Sequence, residues 1–250
     1  MNKKDILITK YTKSRSLLSD SDPFTVLFHD RPKLHGAPGK RVSWSISEKV
    51  AEYIYKSVGP ESCTLETGSG VSTIVFAIKR TKHVTVSPSL DEKEAIRDYA
   101  SLHSIKLDTV RFVNETSESY LPNAVNEGEL DFVLIDGRHA FPWPVIDYFY
   151  TSTRLRKGGI LVVDDITIPS VVPLVRFLLE DDNWQLSETF PKRTLAFVKI
   201  GTRLNVEWTE QRYNQKYYRS MMRNPNLFRR GVRKVRRTAR TIGRKITSRE

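Results

Sequence analysis

CTLETGSGVST, residues 63–73, contains a short strand, a glycine-rich turn and the beginning of a helix. Glycine in such a turn lets the backbone approach a ligand and adopt positive φ angles. The free N–H groups at the start of the helix favour acceptor atoms and negative charge. Because ligands of open α/β sheets lie at the carboxyl ends of the strands, we expect a nucleotide-like cofactor here. The alternative is a tight turn that serves only to pack the strand on the helix.

The chain around this turn alternates strands with helices. Further strands are predicted at 83–86, 110–113, 131–136 and 159–164. Helices are predicted at 42–55, 71–79, 90–104, 144–155 and 171–179. Near-continuous apolar strands that alternate with helices indicate a parallel sheet covered on both faces, and residues 184–190 and 194–200 predict a closing hairpin. We therefore expect an α/β fold, Rossmann-like and doubly wound, with a mostly parallel seven-stranded sheet and a C-terminal antiparallel hairpin.

Turn signals and charge divide the chain into an N-terminal extension at 1–40, a main domain at 41–202 and a basic, partly helical tail at 203–250. We expect the extension to pack on or cover the main domain, whose first helix shows capping-box spacing at Ser45 and Glu48. The tail holds 15 of the 41 Lys and Arg residues but only 3 of the 29 acids, so the rest of the chain is neutral. The main domain therefore has no polyanion-binding signature.

The composition also excludes several classes of protein. No apolar run approaches the roughly 18–20 residues that span a bilayer, and the basic start of the chain lacks the apolar core of a signal peptide. The single cysteine, Cys63, rules out an internal disulfide and suits a reducing compartment. We expect a cytoplasmic protein.

Two residues of the turn discriminate between cofactors. The dinucleotide-binding motif requires a third glycine where this chain has Thr73, and Glu66 suits a cofactor with an ammonium group. The E-x-G-x-G pattern resembles the first motif of class I S-adenosylmethionine-dependent methyltransferases, over about residues 60–200. The resemblance implies that the turn binds S-adenosylmethionine, with the methionine part against its glutamate and glycines. The turn residues concerned are Glu66, Gly68, Ser69, Gly70 and Ser72.

The second predicted strand departs from this family. The family usually ends that strand with an acid that binds both ribose hydroxyls, whereas this chain has Ser87 there. A serine can make one such hydrogen bond but not the pair that a carboxylate makes. Either Asp91 or Glu92 reaches the ribose alongside Ser87, or the ribose is held in another way.

The fourth and fifth predicted strands end in acids, Asp136 and the pair Asp164 and Asp165. Neighbouring parallel strands place these ends on one edge of the sheet, where three carboxylates repel each other unless a proton or a cation neutralises them. Oxygen ligands of this kind suit Mg²⁺, Ca²⁺ or Mn²⁺. The arrangement resembles that of the metal-dependent O-methyltransferases that act on catechols and sugar hydroxyls. This resemblance implies that the three aspartates hold a divalent metal such as Mg²⁺.

The Asp-x-x-His spacing of Asp136 and His139 is similar to that of macrolide-sugar O-methyltransferases. The resemblance implies that His139 is the general base, since an imidazole accepts a proton near neutral pH, and that Asp136 belongs to the catalytic group. Three alternatives remain open: Asp165 caps the next helix, Asp136 contacts the cofactor without a metal, and His139 is a structural histidine. Residues 141–143, Phe-Pro-Trp, are candidates for a wall of the acceptor site.

The end of the tail carries a narrow apolar stripe among Lys and Arg residues, at the spacing of one helix face. Its members are Val232, Val235, Ala239, Ile242 and Ile246. Such a helix can lie on anionic lipid at the inner face of the membrane, and it can bind nucleic acid electrostatically. The third interpretation of residues 226–250 is a solvated tail without a partner.

These observations favour an S-adenosylmethionine-dependent O-methyltransferase that acts on a sugar, a glycan precursor or another small molecule. One alternative is a nucleic-acid methyltransferase that uses the basic tail. The chain has Asp-Gly-Arg-His after the fourth strand, however, and not the Asn/Asp-Pro-Pro-aromatic motif of enzymes that methylate base amino groups. The other alternative is a scaffold that retains the fold without catalysis.

Overall fold

The computed structural model describes residues 22–191, 193–204 and 206–223, with the side chains of 220–223 left aside. Within these residues a single sheet has the order β3-β2-β1-β4-β5-β7-β6. The strands are β1 Cys63–Thr67, β2 Lys82–Val86, β3 Val110–Val113, β4 Leu130–Ile135, β5 Leu155–Val163, β6 Trp184–Phe190 and β7 Thr194–Lys199. Strands β1 to β5 pair in parallel, and β7 pairs antiparallel with both β5 and β6. The predicted α/β fold, with its closing hairpin, is confirmed.

Helices cover both faces of this sheet. They are α1 Pro23–Asp30, α2 Glu48–Ser57, α3 Val71–Ile78, α4 Leu90–Leu102, α5 Ser117–Tyr120, α6 Trp143–Arg154, α7 Val172–Glu180 and α8 Arg212–Arg223, with a 3-10 turn at Leu121–Asn123. Strand β4 shows why helices are needed on each side. Phe132 and Leu134 pack with α2 to α4, whereas Val133 and Ile135 pack into the core on the other face. Alternate side chains of a strand point to opposite faces, so both faces of β4 are apolar and must be covered.

The start of the described chain packs on the main domain, as expected for the extension. Helix α1 begins at Pro23, because Asp22 caps it by accepting a hydrogen bond from the Thr25 N–H at 3.2 Å. Leu27 of α1 and Leu34 beyond it are both buried in the core. Residues 22–34 are therefore part of the folded domain.

The predicted capping box of the first long helix is wrong. Ser47, not Ser45, caps α2 by accepting from the Val50 N–H at 3.4 Å, so the helix begins at Glu48. Residues 43–45 stay outside the helix and lie along a cavity of about 800 Å³. Strand β5 differs as well, since it begins at Leu155 through an irregular pairing with Leu130 of β4.

The described part of the basic tail contains α8, which packs on α7. The ring centroids of Tyr213 and Phe177 are 5.7 Å apart, and Lys216 pairs with Glu180. The apolar stripe of 226–250 lies outside the described residues, so its lipid and nucleic-acid interpretations stay predictions. No helix among the described residues is long and apolar enough to cross a membrane.

Candidate active site

A cavity of about 800 Å³ lies at the carboxyl ends of β1, β2 and β4, where the sequence predicted a ligand. Its walls come from the turn after β1, the end of β2, one side chain of α4, residues 116–118, residues 136–139 and the segment 35–45. The cavity therefore joins the predicted cofactor turn and the predicted acidic edge in one space.

The glycine turn is packed against the end of β4. Gly68 has a φ of +89°, and a Cβ at this position would collide with the carbonyl oxygen of Asp136. Its N–H donates to the Val86 carbonyl at 2.9 Å, which ties the turn to the end of β2. Gly70 faces the segment 35–45, because a Cβ there would lie 3.1 Å from the His35 ring. Only glycine at position 68 permits both the backbone conformation and this close approach.

Glu66 lies beneath the turn and is not among the residues that line the cavity. Its carboxylate is almost wholly buried, accepts a hydrogen bond from the Thr73 hydroxyl and lies 3.2 Å from His83 Nε2. Thr73 in turn accepts from the Gly70 N–H at 3.0 Å. The threonine that replaces the third glycine of the dinucleotide motif thus links Glu66 to the turn. Ser72, also predicted as a cofactor residue, is buried on α3 and does not line the cavity.

Glu92 is the acid that reaches the cavity near Ser87. Its carboxylate accepts from Ser69 Oγ at 2.9 Å and from Ser87 Oγ at 3.2 Å, and it lies 3.2 Å from His35 Nδ1. Burial raises the pKa of Glu92, but the hydrogen bonds of His35 and Ser69 outweigh burial and hold the pKa below its ordinary value. The structure therefore brings Ser69 and Ser87 together around an ionised carboxylate, whereas Asp91 does not line the cavity.

Asp164 does not join the other predicted metal ligands, because hydrogen bonds from other side chains occupy its carboxylate. Both of its oxygens are engaged: Arg193 Nη2 donates to Oδ2 at 2.6 Å, Arg193 Nε donates to Oδ1 at 3.2 Å, and the Thr194 hydroxyl also donates to Oδ1. Only 1% of the residue is exposed. The same Arg193 Nε lies 3.0 Å from Asp165 Oδ1. Asp164 is thus part of a buried ion pair and not a free ligand.

His139 lies between the two remaining aspartates. Its Nε2 is 3.5 Å from Asp136 Oδ1 and 3.4 Å from Asp165 Oδ2. The nearby carboxylate of Asp136 raises the pKa of His139 above its ordinary value, although burial opposes this. Burial raises the pKa of Asp136 to about 6, against the effect of His139 and with some repulsion from Asp164. The helix after β5 begins at Val172 without a side-chain cap, so Asp165 does not cap it.

The donor set does not fit the predicted Mg²⁺ site of three aspartates. Among the described residues, the group that lies close enough to share an ion is Asp136, His139 and Asp165. Mg²⁺ requires a nearly octahedral shell of oxygen ligands. The group is a poorer match for Mg²⁺ than three aspartates, because it replaces one oxygen ligand with an imidazole nitrogen and has an arginine on one of its carboxylates.

The aromatic wall differs from the predicted one. The Arg138 guanidinium packs on Trp143, with its Cζ 3.7 Å from the centroid of the indole ring. Phe141 is 67% exposed and does not line the cavity. Trp44, which the sequence placed in a helix, does line the cavity and is 72% exposed. The segment 35–45 therefore supplies the aromatic side chain at the opening.

The sequence did not single out His35, Trp44 or Arg193 as functional residues. His35 and Trp44 come from parts of the chain that carry no motif, and their positions depend on how the segment before α2 folds over the cavity. The position of Arg193 could have been predicted from strand pairing. Once β7 is known to pair antiparallel with β5, Thr194 must lie next to Asp164, and Arg193 next to Asp165.

Comparisons with known proteins agree with this geometry. A family model described as a methyltransferase domain matches residues 65–166. No curated protein matches the chain at a significant level. The cofactor-bound Rv0187 from MTB is 17% identical, with a TM-score of 0.58 over 75% of this chain and 94% of that one.

Two further solved structures share the fold. The O-methyltransferase TomG from Streptomyces achromogenes, solved with S-adenosylmethionine, is 16% identical, with a TM-score of 0.57 over 80% of this chain and 100% of that one. The O-methyltransferase from Bacillus cereus, solved with S-adenosylhomocysteine, is 15% identical, with a TM-score of 0.52 over 77% and 100%. At these identities the likeness shows a common fold.

The sheet order and the glycine turn are those of an α/β, Rossmann-like methyltransferase fold. The matched domain, which runs from β1 to just beyond β5, supports an S-adenosylmethionine-dependent methyltransferase.

Proposed function

We propose that this chain is an O-methyltransferase whose acceptor is a hydroxyl of a sugar, a glycan precursor or a similar small molecule. One observation carries the proposal: His139 lies between Asp136 and Asp165 in the wall of the cavity that the glycine turn also lines. S-adenosylmethionine supplies an electrophilic methyl group on a sulfonium. A hydroxyl attacks that carbon well only as its proton is removed, and a positioned imidazole is a common base for this purpose.

In the proposed reaction, the His139 imidazole accepts the hydroxyl proton at Nδ1, because Nε2 faces the two carboxylates. The acceptor oxygen forms its bond to the methyl carbon as the carbon–sulfur bond breaks, and the electron pair of that bond remains on sulfur. Asp136 and Asp165 stabilise the imidazolium by charge. The proton then passes to solvent, because the His139 side chain is 28% exposed.

Glu92 is the residue that we propose for the cofactor ribose. Its ionised carboxylate occupies the place beside Ser87 where the family has a strand-end acid, and Ser69 of the turn shares it. A carboxylate can accept hydrogen bonds from both ribose hydroxyls, which Ser87 alone cannot do. The backbone of Gly68 and Gly70 completes the turn against which the cofactor lies.

The acceptor is proposed to enter past Trp44. Aromatic ring faces pack well against rings of similar size and leave the polar groups of the ligand free. The hydroxyls of Ser43 and Ser45 lie along the same wall and can bind acceptor hydroxyls. A saccharide presents both features, which is why we favour it over an aromatic acid.

Calorimetric titration with S-adenosylmethionine and S-adenosylhomocysteine tests the first part of the proposal. We expect micromolar binding of both ligands, by the full chain in buffer that contains a chelator. If neither ligand binds, with or without Mg²⁺, the chain is a scaffold that has kept the fold.

His139→Gln tests the role of the base. With a panel of soluble sugars and catechols as acceptors, we expect the rate of methyl transfer to fall by about 10²- to 10⁴-fold, with the affinity for S-adenosylhomocysteine little changed. His29→Gln is the matched control, because His29 is exposed and lies outside the cavity. Equal rates for His139→Gln and the control would remove His139 from the mechanism.

A further inference from the structure

We propose that Arg193 is the permanent counter-cation of the active-site carboxylates and that methyl transfer by this chain uses no divalent metal. The proposal rests on the proposed function for the reaction itself. It takes its evidence from the contacts of one side chain with Asp164 and Asp165.

Asp164 supplies the first step of the argument. It follows β5 directly at the edge of the sheet where the family places a metal ligand, but its two oxygens are already shared by Arg193 and Thr194. A metal could bind Asp164 only if the guanidinium left. The Arg193 guanidinium would then lose its ion pair with Asp164, and breaking a buried ion pair in this way is strongly unfavourable.

Asp165 supplies the second step. Its Oδ1 lies 3.0 Å from Arg193 Nε, and its Oδ2 faces His139. Arginine stays protonated at every pH at which proteins fold. A divalent ion on Asp165 would therefore bind next to a fixed positive charge, and the repulsion would weaken its binding.

The position of Arg193 is built into the sheet. Strand β7 pairs antiparallel with β5, with Leu195 opposite Val163, so the end of the hairpin turn lies over Asp164 and Asp165. The Arg193 carbonyl accepts from the Ile166 N–H at 3.0 Å, which holds the backbone as well. The backbone that carries the guanidinium is therefore fixed by its pairing with the central sheet.

The consequence for the chemistry is that protein groups alone must manage the hydroxyl proton. Arg193 binds Oδ1 of Asp165 and leaves Oδ2 towards His139. It acts as a positioning residue, because it holds the carboxylate that faces the base without touching the base itself.

Metal titration of the full chain tests the proposal without any variant. After treatment with a chelator and its removal, calorimetry with Mg²⁺ and then Mn²⁺ should show no stoichiometric binding. The Kd of S-adenosylhomocysteine should change by less than about twofold when either ion is added, since an ion that does not bind cannot couple to the cofactor. Stoichiometric binding of either ion by the wild-type chain, lost in Asp165→Asn, would overturn the proposal.

Arg193→Gln removes the positive charge beside the two aspartates and should create a metal-binding site that the wild type lacks. We expect Mn²⁺ to raise the Tm of this variant in proportion to the logarithm of its concentration, as a ligand of the native state does. Arg193→Lys should keep the wild-type behaviour. Arg212→Gln is the matched control, because Arg212 forms an exposed ion pair with Asp182 far from the acids of the cavity. A folded Arg193→Gln without any response to Mn²⁺ would show that Arg193 is not what excludes the ion.

The two proposals fail in different ways. Absence of cofactor binding both with a chelator and with Mg²⁺ would reject the proposed function. The metal titration measures the heat of metal binding alone and needs no cofactor. If Arg193→Gln does not fold, the wild-type titration decides alone.

Discussion

Glu92 is the side chain that we propose to compensate for the departure from the family motif at Ser87. The strand-end position holds Ser87, yet Glu92 of α4 directs its carboxylate to the same place and is held there by Ser69 and His35. A helix that begins close to the strand end can supply the charge that the strand does not. The residue at the end of the strand is therefore a weaker guide to the site than the charged group that lies beside it.

Glu92→Gln should weaken the binding of S-adenosylhomocysteine by about tenfold or more, because hydrogen bonds to a charged group contribute about 1.5–3 kcal/mol. Calorimetry measures the Kd. Asp91→Asn is the matched control, since Asp91 precedes Glu92 on the helix and does not line the cavity. An unchanged Kd for Glu92→Gln would show that the ribose is held elsewhere.

Asp147 of α6 is a buried acid outside the reaction. It is fully buried, and neither oxygen has a hydrogen-bond partner of good geometry among the described residues. Burial raises the pKa of Asp147 to about 6, and the hydroxyls of Ser117 and Thr67 offset part of this effect. The folded protein therefore keeps the proton at pH values where the unfolded chain, with an ordinary pKa of about 3.9, has released it.

The sign of the pH dependence follows from this proton. Between pH of about 4 and 6 the native state binds more protons at Asp147 than the unfolded state, so the stability falls as the pH rises. Above pH 6 the loss is complete and amounts to about 3 kcal/mol at most. Asp147→Asn should therefore have the higher free energy of unfolding at pH 8, by up to this amount, and little advantage near pH 4.

Urea denaturation at several pH values measures this difference. Asp98→Asn serves as the control, because it makes the same substitution at an exposed position of α4. If the wild type and Asp147→Asn lose stability in parallel as the pH rises, the carboxyl of Asp147 does not titrate near pH 6.

At the scale of the elements, the turn between β1 and α3 depends on contact with the end of β4. Its backbone passes so close to Asp136 that the glycine at position 68 is required by two independent constraints, a φ of +89° and a collision with the Asp136 carbonyl. The cofactor turn and the acidic edge of the site are thus one packed unit. A substitution in the turn should therefore displace Asp136.

Gly68→Ala should lower the stability more than the 1–2 kcal/mol or so that a left-handed backbone angle costs an L-residue, and it should weaken cofactor binding. Gly128→Ala is the matched control: Gly128 has a φ of +93°, but a Cβ there has nothing within 4 Å. Urea denaturation and calorimetry compare the two variants. Equal losses of stability would mean that the backbone angle alone, and not contact with Asp136, explains the glycine.

For the whole molecule, the distribution of charge separates the site from the tail. Residues 1–202 contain equal numbers of acidic and basic residues, and the excess positive charge lies in 203–250. The described helix α8 packs on α7, away from the cavity. We therefore expect the end of the tail to contribute to location and not to catalysis.

Deletion of 226–250 should reduce binding to liposomes that contain anionic lipid, because each basic residue near such a surface contributes about 1 kcal/mol. Turnover on a soluble acceptor should stay within about twofold, since the deletion removes no charge from the neutral main domain. Co-sedimentation measures the first effect, and neutral liposomes are the control. A large loss of turnover would place the tail in the active site.

Local sequence patterns were enough to predict the fold and the sheet edge at which the cavity lies. Strand and helix periodicity are local properties, and the order of apolar strands leaves few ways to cover both faces of a parallel sheet. Gly68 and Ser69 of the turn, Ser87, Asp136 and Asp165 accordingly lie along one cavity. Glu66, Ser72 and Asp164 do not line it, because the direction in which a side chain points depends on packing.

The groups that meet at the site could be identified only from the folded chain. Asp164 and Asp165 look equivalent in the sequence, but Arg193 returns from the hairpin and engages both oxygens of Asp164. His35 and Trp44 reach the cavity because the segment before α2 folds across it. Such contacts join residues far apart in the chain, and their partners depend on the pairing of strands and the path of a loop, for which no short motif exists.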